Sequence, residues 1–144
     1  MTVLVFDGQV LAADRRTTDM RGRLTTTTKI HRAPGGELLA GTGDAAVCAE
    51  LKAWYLSGAR PDDFPVTARA NVADLYVFSR SGVLHYYSGP HPCTIECQHV
   101  VAGSGGEVAR GVLHMGGTAV QAVEAACLYR GDCGDGIDVL ELVA

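Results

Sequence analysis

The sequence predicts an α+β fold with antiparallel sheets. Short strand-like runs are separated by tight-turn signals such as Asp7-Gly8 and Arg80-Ser81-Gly82, the pattern of hairpins. Helical periodicity is confined to three stretches, so the chain reads as strands, a helix, strands, two helices and a strand, without the alternation that builds a parallel sheet. At 144 residues it forms a single domain, 1–144, long enough to bury about two-thirds of the surface its unfolded form exposes. Two stacked sheets with helices outside them would use every apolar face, but periodicity alone does not distinguish this from other α+β layouts.

Val3 to Phe6 and Gln9 to Ala13 are two strands around Asp7-Gly8. Pairing Phe6 with Gln9 sets Thr2 opposite Ala13 and brings Asp14 to the same end of the hairpin as the N-terminus. Residues 15–28 are polar and threonine-rich, with Gly22 as a turn, and read as loop or twisted edge strand. A second hairpin runs from Lys29-Ile30-His31-Arg32 through Ala33-Pro34-Gly35-Gly36 into the apolar run Glu37 to Gly41. Asp44 then caps a helix whose Val47, Cys48, Leu51, Trp54 and Tyr55 share one face before Gly58 stops it.

Asp74 to Ser79 and Val83 to Tyr87 form a third hairpin rich in aromatic and β-branched residues. Ser104-Gly-Gly-Glu107 has capping-box spacing and predicts a helix with Val108, Val112 and Met115 facing the core. Thr118-Ala-Val-Gln121 repeats the box before a helix with Val120, Val123 and Cys127 inward, ending near Gly131. Ile137 to Val143 closes the chain as a strand.

A formal net charge of -4 with ordinary apolar content supplies no electrostatic reason to bind nucleic acid or anionic membranes. The N-terminus lacks a basic region followed by an apolar signal core, and no apolar run approaches a bilayer span. These features predict a cytoplasmic protein. Five cysteines without an export signal are expected to be buried thiols rather than disulfides. His91, Cys93, Cys97 and His99 are zinc-ligand types, but on one extended strand they span about 26 Å at roughly 3.3 Å per residue, too far for one tetrahedral site. They are expected to pack with half-buried histidines, and neither metal nor other cofactor is expected.

Chemistry concentrates at the N-terminus. Removing Met1 leaves Thr2 with a hydroxyl nucleophile and an α-amine base on one residue, the minimal pair for self-activated acyl transfer. The free amine titrates at about 7.7 to 8.0 in its ordinary state, so neutral base is present at working pH. Ahead of the first helix, Gly41-Thr42-Gly43 would aim unpaired backbone amides at a developing oxyanion, with Gly43 the preferred donor.

Asp7-Gly8-Gln9-Val10-Leu11-Ala12-Ala13-Asp14-Arg15-Arg16 resembles the second strand of proteasome β-type peptidases. Lys29-Ile30-His31-Arg32 resembles the segment that supplies that family's active-site lysine. Gly103-Ser104-Gly105-Gly106 resembles its glycine-serine turn before a helix, and Asp132-Cys133-Gly134-Asp135-Gly136 its late acidic loop. The stretches occur in the family's order and cover essentially the whole chain. The resemblance is to the proteasome-like, HslV-like N-terminal nucleophile hydrolases, best to compact bacterial or phage-associated members with a short first hairpin.

That resemblance implies a four-layer αββα sandwich of two antiparallel sheets and a threonine peptidase acting on polypeptides through an acyl-enzyme. It implies that Thr2 is the nucleophile, that Lys29 favours the alkoxide-like transition state and that Asp14 holds Lys29. Ser104 then lies near the nucleophile's amine, compatibly with a helix cap. Asp132 matches the family's late aspartate, and Asp135 stands where many members carry serine or threonine. A homo-oligomeric ring or double ring, and an ATP-dependent unfoldase as partner, are further implications. The alternative is a catalytically inactive member that keeps the fold as a structural or assembly homo-oligomer.

Overall fold

The computed structural model describes residues 2–143. Met1, whose removal the acyl-transfer reading requires, lies outside them. The chain is α+β, with three helices and three sheets among the described residues. One four-stranded sheet has the order β10-β1-β2-β11, where β1 is Leu4–Phe6, β2 Val10–Asp14, β10 Val100–Ala102 and β11 Ile137–Glu141. A five-stranded sheet runs in sequence order through β5 (Ile30–Arg32), β6 (Leu38–Gly43), β7 (Ala73–Phe78), β8 (Leu84–Tyr87) and β9 (Cys93–Ile95). The threonine-rich segment forms a separate ribbon, β3 (Arg16–Thr18) with β4 (Leu24–Thr26), turned by Gly22 at φ 76°. All pairings are antiparallel.

Three apolar clusters bind these elements. Helix α1 (Ala45–Leu56), capped by Asp44 through the Val47 N–H, sets Val47, Leu51 and Trp54 against Leu39, Leu75 and Val77 of the five-stranded sheet. The other face of that sheet, with Ile30, Leu38, Ala40 and Phe78, meets Leu4, Phe6, Leu11 and Ala13 of the four-stranded one. The Phe6 and Phe78 rings lie 4.5 Å apart there. Beyond the four-stranded sheet, Val3, Val5 and Ala12 pack under α2 (Gly106–His114) and α3 (Ala119–Tyr129). The alternating burial along β1 and β2 thus serves two different cores, which is why both strands are apolar on both faces.

The first hairpin departs from its expected register. Phe6 pairs with Leu11 and Leu4 with Ala13, so Ala13 does not face Thr2. The turn centre is Gly8-Gln9, one residue later than expected, with Gly8 at φ 104° and Asp7 N–H bonded to Val10 O at 3.1 Å. The Asp7 carboxylate decides this. Its Oδ1 accepts the Gln9 and Val10 N–H groups at 3.1 and 2.9 Å, while Oδ2 accepts the Ala119 N–H at the start of α3. Such an aspartate stabilises a turn by local hydrogen bonds. Because the change is two residues in partner, each strand keeps its faces.

Other expectations change for equally local reasons. Ser104 does not cap α2, whose cap position is Gly105 without a side-chain bond; its hydroxyl is engaged elsewhere. Met115, expected in the core, lies past the end of α2 and is 84% exposed, and Gly106 and Ala109 form the buried face instead. The Thr118/Gln121 capping box of α3 forms as expected, with Ala119, Ala122, Val123 and Ala126 as its buried line.

His91, Cys93, Cys97 and His99 are exposed rather than half-buried. His91 precedes the edge strand β9 and Cys93 opens it, while Cys97 and His99 lie in the segment that crosses from β9 to β10 in the other sheet, outside both cores. Among the described residues no group of histidine, cysteine and carboxylate side chains is suited to a metal. Cys48, Cys127 and Cys133 are wholly or partly buried, Cys93 and Cys97 exposed, and all five are free thiols. No helix among the described residues is long and apolar enough to cross a membrane.

Replacing Asp7 by Ala removes the acceptor for two turn amides and for the first amide of α3, and is expected to cost about 1–2 kcal/mol. Urea denaturation, read as a lower midpoint at unchanged slope, measures it. Phe78→Ala, at the contact between the sheets, is expected to cost about 3–5 kcal/mol in the same assay.

Candidate active site

Register carries Thr2 to its position. Asp14 N–H donates to Val3 O at 3.2 Å, continuing the hairpin and placing the Asp14 side chain beneath the chain's start. Thr2 is 6% exposed and Asp14 fully buried. On the other side of β1, the chain leaves β10 through Gly103 at φ 92°, where a Cβ would lie 2.2 Å from Thr2 O. Only glycine allows that approach. Ser104 is thereby brought to Thr2. Its Oγ accepts from Thr2 N at 3.3 Å and donates to Thr2 O at 3.2 Å, and Gly105 N–H donates to the same carbonyl at 3.1 Å. The Thr2 nitrogen is a peptide nitrogen in the full chain and stands where the α-amine would be after Met1 is removed.

Asp14 is the hub. Its Oδ1 accepts from Thr2 Oγ1 at 3.2 Å, Val3 N–H at 3.1 Å and Lys29 Nζ at 2.7 Å, and its Oδ2 accepts from Gly134 N–H at 3.0 Å. Lys29, immediately before β5, also donates to Arg16 O at 2.6 Å, and its side chain is 9% exposed. A surface ion pair is worth little. This one is buried, where loss of either partner strands the other without solvent. The threonine hydroxyl and the lysine nitrogen therefore share one carboxylate oxygen.

The late loop joins from the opposite side of β2. Arg15 and Arg16 N–H both donate to Gly134 O, at 3.0 and 2.9 Å, which aims Gly134 N–H at Asp14. Asp132 pairs with Arg130 through Nε at 3.2 Å and Nη2 at 3.1 Å. Arg130, with a smaller contribution from the Ser104 hydroxyl, pulls the Asp132 carboxyl down to about 2. The Ser104 hydroxyl, whose hydrogen bonds run to Thr2, lies near enough to Asp132 to add to that lowering. Asp135 does not join this group. At φ 64° it turns to Arg16, contacting Nε at 3.2 Å and Nη2 at 2.9 Å, and the guanidinium lowers its pKa.

Gly43 ends β6 opposite Ala73 at φ 98°, where a Cβ would lie 2.2 Å from Val72 O. Gly41 N–H donates to Lys29 O and Asp44 N–H to Val72 O. By strand alternation Gly43 N–H lies on the Lys29 side of β6. Gly43 therefore belongs to the last strand residues rather than to the first turn of α1, which begins at Ala45. Residues that sequence reasoning missed are Gly134, Gly105 and the Arg16 carbonyl, all acting through the backbone. For the two glycines the signal was the glycine density of the 103–106 and 131–136 stretches; the Arg16 carbonyl had none.

No protein-family model and no curated protein matches the chain. Solved structures do match along its whole length. The chain resembles BPH of Thiobacillus denitrificans in complex with epoxomicin at TM-score 0.72 and 18% identity, covering 100% of both chains. It resembles eukaryotic HslV from Trypanosoma brucei at TM-score 0.70 and 20% identity, covering 99% of both. The chain has an HslV-like fold. A further structure of BPH from Thiobacillus denitrificans aligns at TM-score 0.69 and 19% identity over 99% of each chain. Within the HslV-like fold, Thr2, Asp14, Lys29 and Ser104 meet at one end of the β1–β2 pair.

Two measurements follow from the electrostatics. The depressed Asp132 pKa contributes stability that is complete above the unfolded carboxyl's ordinary value of about 3.9 and is lost as pH falls through about 2. Asp132→Asn is expected to flatten the pH dependence of urea stability across that window. Burial pushes the Cys48 and Cys133 thiols up to about 11, so neither forms thiolate readily near neutral pH. Mass-resolved alkylation of the native protein should modify Cys93 and Cys97 quickly, and Cys48 and Cys133 only after unfolding.

Proposed function

We propose that the chain is an N-terminal threonine peptidase, activated by removal of Met1. The observation that carries this reading is the convergence on Thr2. Its nitrogen lies 3.3 Å from Ser104 Oγ, and its hydroxyl shares the Asp14 oxygen that binds Lys29 Nζ at 2.7 Å. A lone threonine at position two would have no use for a buried lysine–aspartate pair at its hydroxyl. The HslV-like fold agrees with it at the level of architecture.

In this mechanism Thr2 Oγ attacks the peptide carbonyl carbon while the freed α-amine takes the hydroxyl proton. Lys29 presents positive charge to the reacting oxygen, and Asp14 holds Lys29 there. Gly43 N–H is the oxyanion donor, stabilising the negative charge of the tetrahedral intermediate. Collapse breaks the C–N bond, the α-ammonium returns its proton to the leaving amine, and an ester on Thr2 remains. Water then attacks that ester, passing a proton to the amine, and Thr2 is regenerated as the acid product leaves. Ser104 orients the amine, and the Asp132 carboxylate adds negative charge near Ser104. Asp135 pairs with Arg16 rather than with Thr2 and takes no part in these steps.

We also read the layering as a four-layer αββα sandwich, with the β3–β4 ribbon as an addition to the two main sheets. The three stacked clusters, helix on sheet, sheet on sheet and sheet on helices, support it. The substrate class is polypeptide, and the working form a homo-oligomer in the cytoplasm, served by an ATP-dependent unfoldase. Exposed Met115, Leu128 and Tyr129 around α2 and α3 supply apolar surface for self-association.

Protein with Thr2 exposed is expected to cleave small fluorogenic peptides, and Thr2→Ala to reduce kcat by at least about 1,000-fold. Lys29→Ala is expected to reduce it about 100- to 1,000-fold. Equal rates for wild type and Thr2→Ala would assign the fold to assembly rather than catalysis. Intact-mass spectrometry of protein from its native host is expected to show loss of Met1; complete retention excludes the mechanism.

A further inference from the structure

Asp135 is the acidic residue of the late loop that the mechanism leaves without a task. It is no free surface charge. Its carboxylate receives two hydrogen bonds from Arg16, and the third guanidinium nitrogen, Nη1, donates to Gly131 O at 2.8 Å. Arg16 thus grips the loop at both ends, at residues 131 and 135. Between those ends lies Gly134, whose carbonyl accepts the Arg15 and Arg16 amides and whose N–H donates to buried Asp14. The Arg16 carbonyl in turn accepts Lys29 Nζ at 2.6 Å. One arginine therefore connects the loop to both polar partners of the lysine.

We propose that Asp135 is a positioning residue: through its bidentate pair with Arg16 it holds the Arg16 carbonyl and the Gly134 amide where they orient Lys29 and Asp14 toward Thr2. This rests on the peptidase reading for its catalytic consequence but not for its structural one. A single exposed ion pair would do little. Here the planar guanidinium is held at three points, two on a carboxylate and one on a carbonyl, and a planar fork fixed in that way has direction as well as charge. The Arg16 and Asp135 side chains are 25% and 29% exposed, so removing the carboxylate leaves no charge stranded in a core. The loop is glycine-rich on either side of Asp135, with Gly134 at φ 152° and Gly136 at φ 99°. It has few rigid residues of its own to keep its shape.

The left-handed backbone at Asp135 makes a clean test available. Asn and Gly both tolerate φ near 64°, so Asp135→Asn and Asp135→Gly remove the carboxylate without straining the chain. Lys29 and Lys52 are the chain's only lysines, so 15N-lysine NMR of the side-chain nitrogens reads Lys29 directly, with Lys52 as an internal reference. Both variants are expected to shift the Lys29 signal and speed its hydrogen exchange while Lys52 is unchanged. In Thr2-exposed protein they are expected to lower kcat about 5- to 20-fold, the cost of slight misplacement of a catalytic group, with KM within about twofold of wild type. Arg16→Lys, which keeps the charge and loses the fork, should reproduce the same direction.

An unchanged Lys29 signal in both Asp135 variants overturns the proposal, whatever the activity. A shifted signal with kcat unchanged in an active wild type also overturns it, since Lys29 would then tolerate the change. If the wild type with Thr2 exposed is inactive, the peptidase reading fails. The Lys29 signal still decides whether the clamp orients that side chain.

Discussion

A buried carboxylate, that of Asp14, is the constraint on which the rest of the site depends. A charge-bearing group taken wholly out of water must have its lone pairs satisfied by protein donors, or the fold pays heavily. Those four donors come from three separate places: the chain's start at Thr2 and Val3, the segment before β5 at Lys29, and the late loop at Gly134. Meeting that one requirement draws together segments that are up to 120 residues apart. The same oxygen that satisfies Lys29 also receives the Thr2 hydroxyl, so the electrostatic demand of Asp14 and the assembly of the site are one event.

The glycines around this hub act by letting backbone replace side chain. Gly103 allows the chain to cross Thr2 at a distance no Cβ would permit, and so delivers Ser104 and Gly105 to the threonine's nitrogen and carbonyl. Gly134 offers one carbonyl to two amides of the strand end and its own N–H to Asp14. The sheet provides rigidity on the other side. Val3 to Phe6 lie fully buried between α2–α3 and the second sheet, so the threonine at the end of this strand is fixed by two cores at once. A side chain mounted at the end of a doubly packed strand is held without help from loops, the preorganisation that the proposed catalysis requires.

The differences between reading and structure share a cause. Asp7-Gly8 was a correct turn signal, but the turn centred on Gly8-Gln9 because the Asp7 carboxylate serves two turn amides and one at α3, a partner 112 residues away. Ser104 carried a capping-box spacing, but its hydroxyl bonds Thr2 instead. In both cases a local pattern with adequate chemistry was redirected by a distant group. The exposed His91, Cys93, Cys97 and His99 went the same way: an apparently continuous strand is two edge pieces in different sheets. No local rule says where a chain changes sheets.

By itself the sequence determined the α+β class, the hairpins and the three helices with two of their caps, because these rest on periodicity and turn chemistry; Thr2 stood out by residue type, and Asp14, Lys29 and Ser104 through the family resemblance. Tertiary structure alone decided the hairpin's register, the ribbon of β3 and β4, the role of Gly134 and the Arg16 carbonyl, and the turning of Asp135 away from Thr2. The reason is physical. Backbone amides and carbonyls are the same in every residue, and an aspartate's partner depends on which arginine reaches it first, so neither can be recognised until the chain has folded back upon itself.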